Sequence, residues 1–196
     1  MAFYTGYVLL PTNTYLAWKN AVAGNGYDAD GYYGCQCWDL CAEFWHNLGF
    51  PRGYPVTQSG GNGSAYMCWT ISREINKGDK FDLIYNLADV KQGDVIVWNG
   101  TASFPDGHIG FADEDYDGSG QIAVLGQNQG TGGTPPPISY SQGGTTANVK
   151  KLGTANFLGA FRYREWNNPP QPVKRSQTKF PFVLYAKRLR EKRQGL

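Results

Sequence analysis

A chain of 196 residues is long enough for one well-packed core and short for two. Its 26 glycines, its frequent aromatics and the lack of any long apolar run suit a strand- and loop-rich domain and exclude a membrane-spanning helix. The net charge of +2 conceals an asymmetry: residues 1–173 carry 10 basic and 15 acidic side chains, whereas residues 174–196 carry 8 basic and 1 acidic.

The N-terminus lacks a charged segment followed by an apolar one, so no signal peptide is expected, and export by host lysis or inside a particle fits better. A first helix is expected near Thr14–Ala23, capped by Thr12 or Asn13 and ended by Gly24. From Cys37 the apolar residues Leu40, Cys41, Phe44, Trp45 and Leu48 fall at helical spacing, and Gly49 and Pro51 stop the run. Cys37 therefore lies in a first helical turn. Unpaired N–H groups and the helix dipole lower a thiol pKa there, which makes Cys37 the candidate nucleophile. A buried structural cysteine fits the position alone equally well.

Just upstream, Asp28, Asp30 and Asp39 stand at positions one, three and twelve of a calcium-loop spacing. Tyr32 and Gly34, at positions five and seven, offer backbone carbonyls. Tyr33 occupies the place where such a loop wants Gly, and Asp39 the place where it wants Glu. An Asp-rich turn before a capped helix accounts for the same residues. Cys35, Cys37 and Cys41 are too close to bridge one another comfortably, so free thiols are expected. A zinc site from these three and His46 lacks a familiar spacing.

A Gly-rich loop, Ser59–Gly63, leads to an expected helix over about Ser64–Asn76 with Met67, Ile71 and Ile75 as its buried stripe. Short β-rich segments follow: Phe81–Tyr85, Asp94–Trp98, Gly107–Ala112, Gln121–Leu125 and Phe157–Tyr163. Helices followed by consecutive strands predict an α+β fold with an antiparallel sheet. His108 opens the third of these strands between glycines and is the candidate base for Cys37, since His46 reads as solvent-facing. If the next strand forms a hairpin with it, Asn128 approaches His108 and its amide oxygen can orient the imidazole. Asp113, Asp115, Asp117 and Gly118 mimic half of a calcium loop, but Val124 holds the closing position, so an acidic hairpin turn is expected.

Together the segments Asp-x-Asp, Gln-Cys-Trp-Asp-Leu, Gly-Asp-Val-Ile-Val-Trp, Gly-His-Ile-Gly-Phe and Leu-Gly-Gln-Asn resemble those of a CHAP domain (cysteine, histidine-dependent amidohydrolase/peptidase), in the family's order, over roughly Tyr15 to Tyr163. The resemblance implies a papain-like (NlpC/P60-like) α+β fold, with helices packed on an antiparallel sheet, that cleaves amide bonds in bacterial peptidoglycan. By position, Cys37 matches the nucleophile, His108 the base and Asn128 the third polar residue. The calcium ligands of phage-lysin members fall on Asp28, Asp30, Tyr32, Gly34 and Asp39, so a structural Ca2+ is expected. Several such members carry Glu where this chain has Gly126, which leaves Asn128 alone, or a carboxylate such as Glu114 or Asp113, to orient His108.

The expected mechanism is attack by a Cys37 thiolate, with the Cys37 N–H and the Gln36 side chain receiving the oxyanion. The bond cut is that of an N-acetylmuramoyl-L-alanine amidase or of a D-alanyl cross-bridge endopeptidase, which use the same residues. A CHAP scaffold that only binds the wall or builds a virion, and a general papain-like protease, are the competing readings. The expected site of action is the cell wall, reached from the host cytoplasm at lysis or from a virion. Residues 1–166 are expected to form the catalytic domain, 167–173 a Pro-rich linker and 174–196 a basic tail. The tail suits anionic wall polymers, a membrane surface or a protein partner, or packs back on the domain; no nucleic-acid partner is expected.

Overall fold

The computed structural model describes residues 1–57, 63–102, 105–130 and 143–167. Residues 168–173 of the expected linker, the basic tail and most of the loop at Ser59–Gly63 lie outside the described residues. Strand β1 (Phe3–Thr5) pairs in parallel with β2 (Gly26–Asp28), and helix α1 (Tyr15–Val22) lies between them in the chain. Thr14 caps α1 by accepting the Ala17 N–H at 3.1 Å, so the cap falls one residue later than expected. β3 (Gly34–Cys35) leads into the principal helix, α2 (Cys37–Asn47).

The stripe Leu40, Cys41, Phe44, Trp45 and Leu48 is buried, as its spacing requires. The helix over Ser64–Asn76 is instead two short pieces, α3 (Met67–Thr70) and α4 (Arg73–Lys77). Ile71 and Ile75 face outward, while Cys68, Trp69, Ser72 and Asn76 face inward. The reason is polar: the Asn76 amide accepts the Val56 N–H and donates to the carbonyls of Val56 and Cys68. Buried backbone groups that need partners outrank an apolar stripe here.

Strands β4 (Phe81–Ile84), β5 (Val95–Trp98), β6 (His108–Ala112), β7 (Gln121–Gly126), β9 (Asn148–Gly153) and β10 (Phe157–Tyr163) form one antiparallel sheet in the order β4-β10-β5-β6-β7-β9. The short β8 (Gly143–Gly144) pairs in parallel with β3, and a last turn of helix, α5 (Arg164–Asn167), follows β10. The β6–β7 hairpin forms as expected. β9 carries no strong apolar alternation and is legible only as the partner of β7.

The helices cover one face of the sheet, where Trp18, Phe44, Trp45, Phe81, Phe111 and Phe161 interlock. Phe44 meets Phe111 edge-to-face at 5.2 Å and Trp45 stacks on Phe81 at 4.5 Å. The other face has its own cluster, Val90, Ile96, Ala112, Ile122, Val124 and Ala160. Asp94, at the head of β5, is buried and clamped by Arg162 at 2.9 and 2.7 Å, which ties β5 to β10. Gly107 turns the chain into β6 with φ +69; a Cβ there would lie 2.4 Å from the Trp98 carbonyl oxygen, so only glycine lets His108 start its strand against β5. No helix among the described residues is long and apolar enough to cross a membrane.

Candidate active site

Cys37 is the first residue of α2, and the backbone N–H of Ile109, the residue after His108, favours the ionised form of its thiol. Cys37 and His108, 71 positions apart in sequence, line one cavity of about 470 Å³ with Trp98, Asn128, Gln129 and Lys150. All four cysteines are free thiols. The indole of Trp98 stands beside the imidazole, ring centres 5.8 Å apart.

Burial pushes the Cys37 thiol up to about 11, against the opposing pull of N–H groups from Ile109, Trp38 and Cys37 itself. The same burial draws His108 down to about 4. Burial thus works against the expected thiolate, favouring the neutral thiol and the neutral imidazole where the helix start favours the charged sulfur.

The imidazole Nε2 meets Gln129 Oε1 at 3.2 Å. Gln129 has no freedom to turn its amide over, because its NH2 donates to the carbonyls of Val124 and Asn148 at 2.8 and 2.6 Å. Oε1 must then face His108, which places the imidazole proton on Nε2 and leaves Nδ1 as the basic nitrogen. Gly126 makes this possible. A Cβ at that position would lie 2.7 Å from Gln129 Oε1 and 3.5 Å from His108 Nε2. The space that a larger residue would take at Gly126 belongs to Gln129.

Asn128, expected to orient His108, does something else. Its φ of +52 breaks the alternation of β7, so residues 127, 128 and 129 diverge. Asn128 Nδ2 donates to Gln36 Oε1 at 2.5 Å. Gln127 is fully buried; it exchanges bonds with the backbone of Tyr27 at 2.8 Å and donates to the Gln36 carbonyl at 2.9 Å. Gln127 thus ties the loop before α2 to β7. Gln36 Nε2 donates one proton to the Tyr33 carbonyl at 2.6 Å and keeps a second. Neither Gln127 nor Gln129 stands out in the sequence, because a polar run at a strand end says nothing about direction until the backbone turn is known.

Asp28, Asp30 and Asp39 come together, with one oxygen of each within 4.8 Å of the others. Asp39 accepts the N–H of Ala29 and of Gln36, both at 2.9 Å, so it also caps α2. Burial and the neighbouring Asp30 push its carboxyl up to about 8. Asp28 is raised by the same two causes, and its buried Oδ1 has no hydrogen-bond partner. Crowded carboxylates and an orphaned oxygen fit a hard cation. Of the two residues expected to lend backbone carbonyls, Gly34 accepts the Gln36 N–H at 2.8 Å and Tyr32 lies in the turn between Asp30 and β3.

The other acidic residues have local duties. Asp113 takes Tyr15 and Lys19 at 2.8 and 2.7 Å, Glu114 accepts the Ala123 N–H, and Asp115 pairs with Lys91 at 3.1 Å. Neither Asp113 nor Glu114 serves as the partner of His108, a place that Gln129 holds. His46 is not solvent-facing as expected; it packs on Tyr7, ring centres 4.5 Å apart. Among the described residues, Cys35, Cys37, Cys41 and His46 form no group able to hold a metal.

A thiol at a helix start and an imidazole at a strand start, sharing a cavity above an antiparallel sheet, define the papain-like class of α+β folds. The CHAP domain profile matches residues 24–128, and the chain belongs to that family. It is 30% identical over 158 residues to a D-alanyl-L-alanine endopeptidase of Streptococcus phage B30; the match takes in 79% of this chain and 31% of that protein, about a third of its length. The crystal structure of a wild-type endolysin, LysIME-EF1, shares the fold with a TM-score of 0.57 at 24% identity, over 79% of this chain and 65% of that one.

Proposed function

We propose that this protein is a peptidoglycan hydrolase of the phage-lysin kind, cutting an amide bond of the bacterial wall with Cys37 as nucleophile and His108 as base. The observation that carries the reading is the meeting of these two residues in one cavity. The named activity of the phage relative supports a D-alanyl-L-alanine bond as the one cut. The site of action is the cell wall, reached at host lysis or from a virion.

Nδ1 of His108 takes the thiol proton as Sγ adds to the amide carbonyl carbon. The oxyanion is received by the Cys37 N–H and the remaining proton on Gln36 Nε2, which Asn128 and Tyr33 hold in place. His108 returns the proton to the leaving amine. Water, deprotonated by His108, then opens the thioester and regenerates the thiol. Gln129 keeps the imidazole in the competent tautomer throughout.

Digestion of purified peptidoglycan, followed by mass spectrometry, tests this. Fragments with new L-alanine amino termini and D-alanine carboxyl termini are expected, and casein is left intact. Release of intact stem peptides from muramic acid would make the enzyme an amidase instead, and no fragments at all would overturn the reading.

Asp28, Asp30 and Asp39 fit a structural Ca2+, which when bound would neutralise the crowded carboxylates and pin the loop to the first turn of α2. Calcium added to chelator-treated protein at a hundredfold excess over Kd is expected to raise Tm by roughly 5 °C. Asp30→Asn, an exposed change, should remove most of that gain. A Tm indifferent to calcium in differential scanning fluorimetry would reject the site.

A further inference from the structure

We infer that Lys150 is an anchor for a free carboxylate on the substrate peptide, inside the cavity that holds Cys37 and close to the bond being cut. The inference rests on the peptidoglycan reading and narrows it to wall peptides with an ionised carboxylate near the scissile amide.

Lys150 is the one side chain of fixed charge among the described residues lining the cavity, and no carboxylate lines it. Strand alternation along β9 explains how it arrives there. Asn148, Lys150 and Leu152 are half-buried, whereas Val149 and Lys151 are exposed. Lys151 has a carboxylate within reach, Glu114 at 3.8 Å. The Lys150 side chain has no ion pair or hydrogen bond among the described residues.

Its ammonium lies beside the backbone at the cavity. Nζ lies 3.0 Å from where a Cβ on Gly130 would stand, against the backbone just after Gln129. A side chain at that position would push the ammonium away from the residue that positions His108. An ammonium with no counter-ion among the described residues offers an incoming carboxylate a charge-assisted hydrogen bond. The stems of peptidoglycan supply such carboxylates, at the terminal D-alanine and at the γ-linked glutamate.

Two readouts test this. The first is independent of the wall: alkylation of Cys37 by iodoacetate, which carries a carboxylate, against neutral iodoacetamide. Lys150→Met is expected to slow iodoacetate about tenfold and leave iodoacetamide unchanged, and Lys150→Arg to restore the preference. The second is hydrolysis of soluble wall peptides with free or amidated carboxylates. Lys150→Met is expected to raise KM about tenfold for the free acids at constant kcat, with no effect on the amides. Lys150→Gln serves as a second neutral variant if the Met form folds poorly. Equal changes for both reagents, or no change for either, would overturn the inference. If the alkylation preference follows Lys150 but the wild-type protein leaves peptidoglycan uncut, the anion site stands and the wall reading falls.

Discussion

Replacing Cys37 by Ala is expected to lower hydrolysis by a factor on the order of 10⁴ to 10⁶, with Tm within about a degree of wild type. The sulfur is the proposed site of the covalent intermediate, and its removal takes away little packing, because Cys37 lies at the rim of the core, not inside it. The resting state of the pair is open to a separate measurement. With the thiol at about 11, the thiolate fraction at Cys37 grows as pH rises toward that value. Iodoacetamide should therefore alkylate Cys37 about tenfold faster per pH unit from 6 to 9, without a plateau. A plateau from pH 5 upward would mean that the pair rests as thiolate and imidazolium, and that the helix start outweighs burial after all.

The second large effect is expected at Gln129. Gln129→Leu removes the acceptor that holds the Nε2 proton of His108, and kcat should fall by roughly 10² at little change in KM. Stability will fall too, because the carbonyls of Val124 and Asn148 lose their donor. The pH profile separates the two roles. Gln129→Glu places a carboxylate against the imidazole, which favours the charged form of His108. The acid limb of kcat/KM should then move up from about 4 by roughly one to two units. Asn128→Ala, one residue away, should leave that limb where it is, since its contact is with Gln36. An acid limb that moves with Asn128 and not with Gln129 would return the orienting role to Asn128.

Much of this architecture is legible in the residues. The stripe from Leu40 to Leu48 predicts α2 because an amphipathic period, an N-terminal carboxylate and a closing glycine agree with one another. The strands Val95–Trp98, His108–Ala112 and Phe157–Tyr163 announce themselves through β-branched and aromatic runs between turns. The family motifs select Cys37 and His108 from four cysteines and two histidines. Where reading fails, the competing force is a buried polar group. Asn76 turns the 64–76 segment over because backbone donors and acceptors near Val56 and Cys68 need it. Gln129 replaces Asn128 beside His108 for a similar reason: a left-handed residue after β7 redirects the next side chain, and no propensity marks that reversal.

The residue order by itself marked the candidates: a cysteine at a helix start, a histidine opening a strand and three carboxylates at calcium-loop spacing are all local patterns. The tertiary structure alone decided which amide holds the imidazole, how far burial acts on the pair and which lysine faces the cavity. Those outcomes depend on desolvation and on the direction of side chains across paired strands, quantities that exist only once distant segments have been packed together.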